Sequence, residues 1–134
     1  MSIIYQKNRN ISAQPLERLF ASVNWSSAKY PQRLARAIHG SDTVYTAWDG
    51  KTLVGLINVL DDGNMTAYIP FLLVDPAYQG KGIGKRLLEM VKRDYRDFLR
   101  ITLVSYHSSE GFYRKEGFCP ANDAIVMYHT DLPD

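Results

Sequence analysis

DPAYQGKGIGKRLLEMV, residues 75–91, spaces Gly80, Gly82 and Gly84 two apart, with Lys81 and Lys85 beside them. The apolar run IPFLLV (69–74) leads in and an amphipathic pattern leads out, so a strand, a glycine turn and a helix follow one another. A Walker A loop needs four residues between its first glycine and Gly-Lys, and then Ser or Thr for magnesium. Here three residues separate Gly80 from Gly84-Lys85, and Arg86 follows. A dinucleotide fingerprint, Gly-x-Gly-x-x-Gly, meets Lys85 or Leu87 where its third glycine belongs, and the strand at 101–106 lacks the acid that would hold a ribose. What remains is the physics common to such loops. Glycines let the backbone approach closely, and the free N–H groups at a helix start, with its partial positive end, hold a phosphate. A pyrophosphate suits this loop, and Lys81 and Lys85 add charge. A structural turn with a glycine-started helix stands beside that reading.

Working outward, the helix after the loop is expected over 82–95, with Ile83, Leu87, Met90, Val91 and Tyr95 on one face. RITLVSY (100–106) reads as a buried strand, SSEGFYRKEG (108–117) as a short helix capped by Ser108 or Ser109, and AIVMYHT (124–130) as a final strand. Upstream, two β-rich runs (42–48 and 51–60) flank Asp49-Gly50, a strong hairpin signal, and MTAYIPFLLV (65–74) follows the turn DDGN (61–64). These three strands are expected to form an antiparallel meander, with an irregularity at Pro70, which has no N–H to donate. A short first strand (2–6), a helix within 10–23, the loop NWSSAKY (24–30) and a helix at 31–38 complete the chain. The strand, loop, helix, strand order at 66–106 is a βαβ-like crossover, so a mixed α/β sheet follows.

At 134 residues the chain predicts one domain, 1–134. Apolar residues at 46% and charged residues at 22% describe a folded, soluble domain and not a disordered one. A net charge of +2 with no basic run gives no argument for nucleic acid. The longest apolar stretch is far too short to span a bilayer, and MSIIYQKNRN is no signal peptide, so no membrane partner and a cytoplasmic location are expected. The single Cys119 excludes an internal disulfide and a cysteine-built zinc site, and three scattered histidines at no ligand spacing argue against any metal.

Gln79-x-x-Gly82-x-Gly84, preceded by LLVDPAYQ, resembles the acetyl-CoA pyrophosphate loop of the GNAT acetyltransferase superfamily, and GFYRKEGF (111–118) resembles its second motif. The likeness covers nearly the whole chain. NWSSAKYP, the segment around Ser41 and VDPAYQGKGIGK are together similar to the small-amine branch that includes plastid and cyanobacterial serotonin N-acetyltransferases. The resemblance implies a GNAT-like fold, in which the parallel strand pair splays apart, and acetyl-CoA as co-substrate with no metal. Backbone groups of Leu72, Leu73 and Val74 would bind the pantetheine arm, and the loop from Gln79 through Gly80, Lys81, Gly82, Ile83, Gly84 and Lys85 would hold the pyrophosphate.

The implied reaction is direct attack of a neutral primary amine on the thioester in a ternary complex. The Leu73 N–H would stabilise the oxyanion and Tyr113 would protonate the departing thiolate, a sensible donor because a phenol's reference pKa of about 10 exceeds a thiol's. The resembled family often carries an acid on the fourth strand as base; Phe71 stands there, and no Asp or Glu lies between Thr66 and Val74. His107 occupies a place where relatives carry an Asn near the cofactor, so it is assigned to the cofactor, with a base or an ordinary loop histidine as alternatives. Trp25, Tyr30, Phe71 and Tyr106 are candidates to wall a small-amine pocket. Cys119 has no flanking His or basic cluster, against an acetyl-cysteine route. A homodimer is the partner state the family raises. A non-catalytic acyl-CoA sensor and an enzyme acting on a protein amine are the alternatives.

Overall fold

Alternating side chains build the sheet, and its first hairpin turns at Gly50-Lys51, one residue on from the expected Asp49-Gly50, because Asp49 still pairs with Thr52. In the computed structural model, which describes residues 2–132, β1 (Ile3–Lys7), β2 (Thr43–Asp49) and β3 (Thr52–Asp61) run antiparallel in that order. Gly50 supplies the left-handed turn residue, φ +59°. The run after the DDGN turn breaks at Pro70 as expected, into β4 (Thr66–Ile69) and β5 (Leu72–Val74), both antiparallel to β3. Next, α3 (Ile83–Asp94) leads to β6 (Arg100–Leu103), which lies parallel to β4 with Thr66 opposite Arg100. The crossover and the mixed sheet are therefore present, in the order β1-β2-β3-β4-β6, with β5 attached only to β3. β4 has β6 as neighbour and β5 does not, so the chain opens a cleft between β5 and β6.

Between those two pairings the register slips by one. Leu60 faces Tyr68 and Asp61 faces Ala67, whereas Ile57 faces Leu72 and Leu56 faces Leu73. Asn58 and Val59 are thus opposed by Ile69, Pro70 and Phe71, one residue more, which is a β-bulge. Pro70 cannot donate there, and the Phe71 N–H donates to the side-chain Oδ1 of Asn58 at 2.9 Å instead of to a strand carbonyl.

Each face of the sheet is covered. The helices α1 (Ala13–Ser22) and α2 (Pro31–His39) bury Leu16, Leu19, Phe20, Leu34 and Ile38 against Val44, Leu53, Leu56 and Leu73. A 3-10 turn, Ser26–Lys29, lies within the expected loop and sets Trp25 on the same core. On the other face α3 buries Ile83, Leu87, Leu88 and Val91 against Ala47, Ile57, Val59 and Ala67. Gly55 lets α3 come close, because an added Cβ would stand 3.1 Å from Ile83 Cγ2 and 3.2 Å from Leu87 Cδ1. Gly55→Ala is therefore expected to destabilise the protein by about 1–3 kcal/mol through overpacking. An unchanged unfolding midpoint in urea would show that α3 shifts without cost.

The short helix predicted at 108–117 is narrower: a 3-10 turn, His107–Ser109, leads into α4 (Glu110–Lys115), and neither Ser108 nor Ser109 caps it through its side chain. The final strand expected at 124–130 does not form. That stretch pairs with no strand among the described residues and leaves Ile125 and Met127 more than four-fifths exposed. Its continuous apolar run suits a strand, but a lone strand gains nothing without a partner edge. No helix among the described residues is long and apolar enough to cross a membrane.

Candidate active site

The glycine loop starts from a fixed base. Asp75 accepts from the Ala77 N–H at 2.9 Å to begin the 3-10 turn Pro76–Tyr78, and pairs with Arg18 at 3.4 Å. Tyr78 donates to Asp49 at 2.6 Å, which ties this turn to the β2–β3 hairpin. Gly80 and Gly82 then take left-handed φ values of +79° and +83°, where a side chain would be strained. Gly82 is the N-cap of α3, with no side chain capping the helix and no acid in its first turn. The first helical bond is Arg86 N–H to Gly82 O, so the amides of Ile83, Gly84 and Lys85 have no partner within the helix. Lys85 and Arg86 add positive charge at the positive end of the helix dipole, an arrangement that favours a bound anion.

Parity decides which backbone groups of β5 face the cleft. Asn58 N–H donates to Phe71 O and Asp75 N–H donates to Val54 O, so residues 71, 73 and 75 bond toward β3. Leu72 and Val74 sit in the intervening pairs and aim their peptide groups at the open edge. The Leu73 N–H, expected as the oxyanion donor, is turned toward Leu56, and its side chain is buried under α1 and α2. The register corrects that expectation: Leu72 carries the cleft-facing amide. Val74 O is already taken by the Gln79 side-chain amide at 3.0 Å, so Gln79 braces the loop against β5.

A cavity of about 80 Å³ opens at the splay, lined by Leu72 and Pro70 on one side, Leu103 to Tyr106 on the other, and Trp25 and Tyr113. Tyr113, on α4, packs its ring against Phe112 and Phe118 at 5.0 and 6.0 Å, and its hydroxyl has no hydrogen-bond partner among the described residues. Burial pushes its pKa up to about 12. The phenol is thus held protonated beside the cleft-facing peptide of Leu72.

Of the four expected pocket residues, Trp25 and Tyr106 line the cavity, with ring centroids 6.4 Å apart. Phe71 stands behind them, edge-on to Phe20 at 4.9 Å and tilted against Trp25 at 6.0 Å, so it shapes the wall without lining it. Tyr30 lies elsewhere: it is exposed, with the Arg33 guanidinium over its ring. His107 is exposed at the start of its 3-10 turn and is not in the cavity wall. Ser105 and Ser109 do line it, and their only signal in the sequence was their place after β6. No Asp, Glu, Lys or Arg is among the lining residues. Asp61 and Asp62 serve their turn: Asp61 accepts from Tyr95 and Gly63, and Asp62 accepts from the amides of Asn64, Met65 and Thr66, which hold its carboxyl below the usual range.

Comparison with known proteins bears on this arrangement. A soybean (Glycine max) protein named histone acetyltransferase TAP1 is 36% identical over 78% of this chain and 45% of its own length, so the chain spans less than half of that relative. Serotonin N-acetyltransferase 2, chloroplastic, of Oryza sativa subsp. japonica is 27% identical over 91% of this chain and 64% of its own. The solved GNAT-family acetyltransferase SP0256 from Streptococcus pneumoniae TIGR4 superposes with a TM-score of 0.84 at 27% identity, covering 97% of this chain and 98% of that one. Residues 10–130 match the family described as acetyltransferase (GNAT) domain. Because that match runs unbroken through the glycine loop, the splayed strands and Tyr113, the chain belongs to the GNAT acetyltransferase family.

Proposed function

We propose that the protein transfers an acetyl group from acetyl-CoA to the primary amine of a small molecule. One observation carries the reading: an amide-rich, uncapped loop ends where β5 turns free backbone groups toward a cleft that also holds a protonated Tyr113. The residues fit the co-substrate. Gly80, Lys81, Gly82, Ile83, Gly84 and Lys85 offer backbone amides to a diphosphate, and a Cβ added at Gly80 or Gly82 would project into open space where that group approaches. Leu72 and the Val74 N–H offer strand-like bonds to the pantetheine amides.

Acetyl-CoA supplies an activated thioester carbonyl. The chain supplies the Leu72 N–H for the charge that develops on the carbonyl oxygen, and the Tyr113 hydroxyl for the sulfur that leaves. With no carboxylate in the cavity wall, an ammonium acceptor sheds its proton to water before attack. A wall of Trp25, Leu103, Val104 and Tyr106 favours an amine carried on an aromatic or aliphatic body, and it offers a polycation no opposite charge. The rice relative's name supports that acceptor class.

The soybean relative's name supports a second reading, a protein amine as acceptor. An amine panel decides: arylalkylamines, alkylamines, polyamines, amino acids and a lysine-rich peptide, each with acetyl-CoA and followed by free thiol and product mass. Acetylated arylalkyl- or alkylamine is the expected product. Acetylated peptide alone would favour the second reading, and coenzyme binding without thiol release would make the protein an acyl-CoA sensor.

A further inference from the structure

An asparagine in the middle of TLVGLINVLD is out of place, because Asn58 is 2% exposed on a strand whose other core positions are apolar. Burial of an amide is tolerated when each of its polar atoms is paired, and here they are. Oδ1 accepts from the Phe71 N–H at 2.9 Å, and Nδ2 donates to Ser41 Oγ at 3.1 Å. Ser41, itself fully buried, donates in turn to Ala37 O at the end of α2, at 2.9 Å. The Asn58 backbone N–H donates to Phe71 O at 3.1 Å, so one residue holds both peptide groups of Phe71.

Phe71 is the residue on which the site's geometry turns. The bulge shifts β5 by one position relative to β4, and that shift aims the Leu72 peptide into the cleft. Without the extra residue, side chains and peptide groups alike would exchange sides. Pro70 removes one ladder donor, and the Asn58 carboxamide takes the place of the strand carbonyl for the next. We propose that Asn58 is a positioning residue for acyl transfer, acting through Phe71 to aim the Leu72 N–H at the carbonyl oxygen of the thioester. This rests on the acetyltransferase reading above. Asn58 does not line the cavity and touches no reacting atom.

Two variants test it with opposite effects on stability and activity. Asn58→Leu keeps the branched shape, adds some bulk and removes both side-chain bonds; the Phe71 amide loses its acceptor and the bulge relaxes. Asn58→Asp, protonated in this buried place, keeps an oxygen for Phe71 and an O–H for Ser41. Turnover of the best amine, coenzyme A affinity by calorimetry and urea midpoints are measured on the full chain. For Asn58→Leu, kcat is expected to fall at least tenfold, since small misplacements carry large rate effects, while coenzyme A affinity stays within threefold. For Asn58→Asp, kcat is expected to stay within threefold of wild type even though its urea midpoint is the lower of the two. Activity that tracks the urea midpoints across the two variants would overturn the proposal, and so would unchanged kcat in Asn58→Leu. A wild-type protein that acetylates no amine would instead remove the function on which the proposal rests.

Discussion

Tyr113→Phe is expected to lower kcat for acetyl transfer by about a thousandfold and to leave the dissociation constant for acetyl-CoA nearly unchanged. General acids contribute about 10²- to 10⁴-fold, and the middle of that range is expected where water is partly excluded. The variant removes one oxygen. Ring packing against Phe112 and Phe118 survives, so the fold and α4 remain. The affinity is spared because the proposed grip on the coenzyme lies in the loop and β5 and not in α4. Burial raises the Tyr113 phenol to about 12, which means that the proton stays in place through neutral and mildly alkaline pH. Its loss therefore dims activity only as pH approaches that value, above the range where an unperturbed phenol near 10 would titrate. The same shift makes the folded state lose stability between those two values, since the unfolded chain releases this proton first. Unchanged kcat in Tyr113→Phe, or a limb of kcat falling near pH 8, would take Tyr113 out of the mechanism.

Gly82→Val is expected to weaken acetyl-CoA binding by about a hundredfold without unfolding the protein. The backbone at Gly82 is left-handed, φ +83°, and a β-branched residue there costs roughly 1–2 kcal/mol of strain. Relief of that strain rotates the amides of the first turn of α3, and a charge-assisted bond lost to the diphosphate costs about 1.5–3 kcal/mol more. Strain that is relieved does not weaken binding, so the lost contact carries the effect, and at about 3 kcal/mol it is two orders of magnitude in affinity. A Cβ at position 82 meets nothing within 4 Å, so no core contact is disturbed. Gly63, φ +81° and equally open, lies in the turn before β4, and Gly63→Val serves as the strain control. Equal coenzyme affinity in Gly82→Val and Gly63→Val would mean that the loop is a structural turn only.

Local signals made much of this site legible in the sequence. Asp49-Gly50, Pro70 and the three glycines each impose a backbone geometry that residue type alone announces, and the structure has the broken strand and the loop where they are expected and the hairpin turn one residue on, at Gly50-Lys51. What failed to show depends on parity and partners. Leu73 and Leu72 are identical side chains, and only the one-residue slip opposite Asn58 and Val59 decides which amide faces the cleft. Tyr30 and Trp25 lie five residues apart in one aromatic loop, yet the 3-10 turn between them sends one ring to solvent and the other to the cavity. Residues 124–130 carry a strand-like apolar run but find no edge, because pairing belongs to two segments and not to one. Asn58 was the signal overlooked: a lone amide in an apolar strand asks what it is bonded to.

In the proposed function, backbone amides from Gly80 to Lys85 hold the diphosphate of acetyl-CoA. Titration of uniformly ¹⁵N-labelled protein with acetyl-CoA, read at each backbone amide, tests it most directly. Gly80, Gly82, Ile83, Gly84 and Lys85 are expected to show the largest shifts, with Leu72 and Val74 following, and coenzyme A lacking the acetyl group is expected to reproduce the loop shifts. Saturable binding that leaves those loop amides unmoved, or no binding at all, would contradict it.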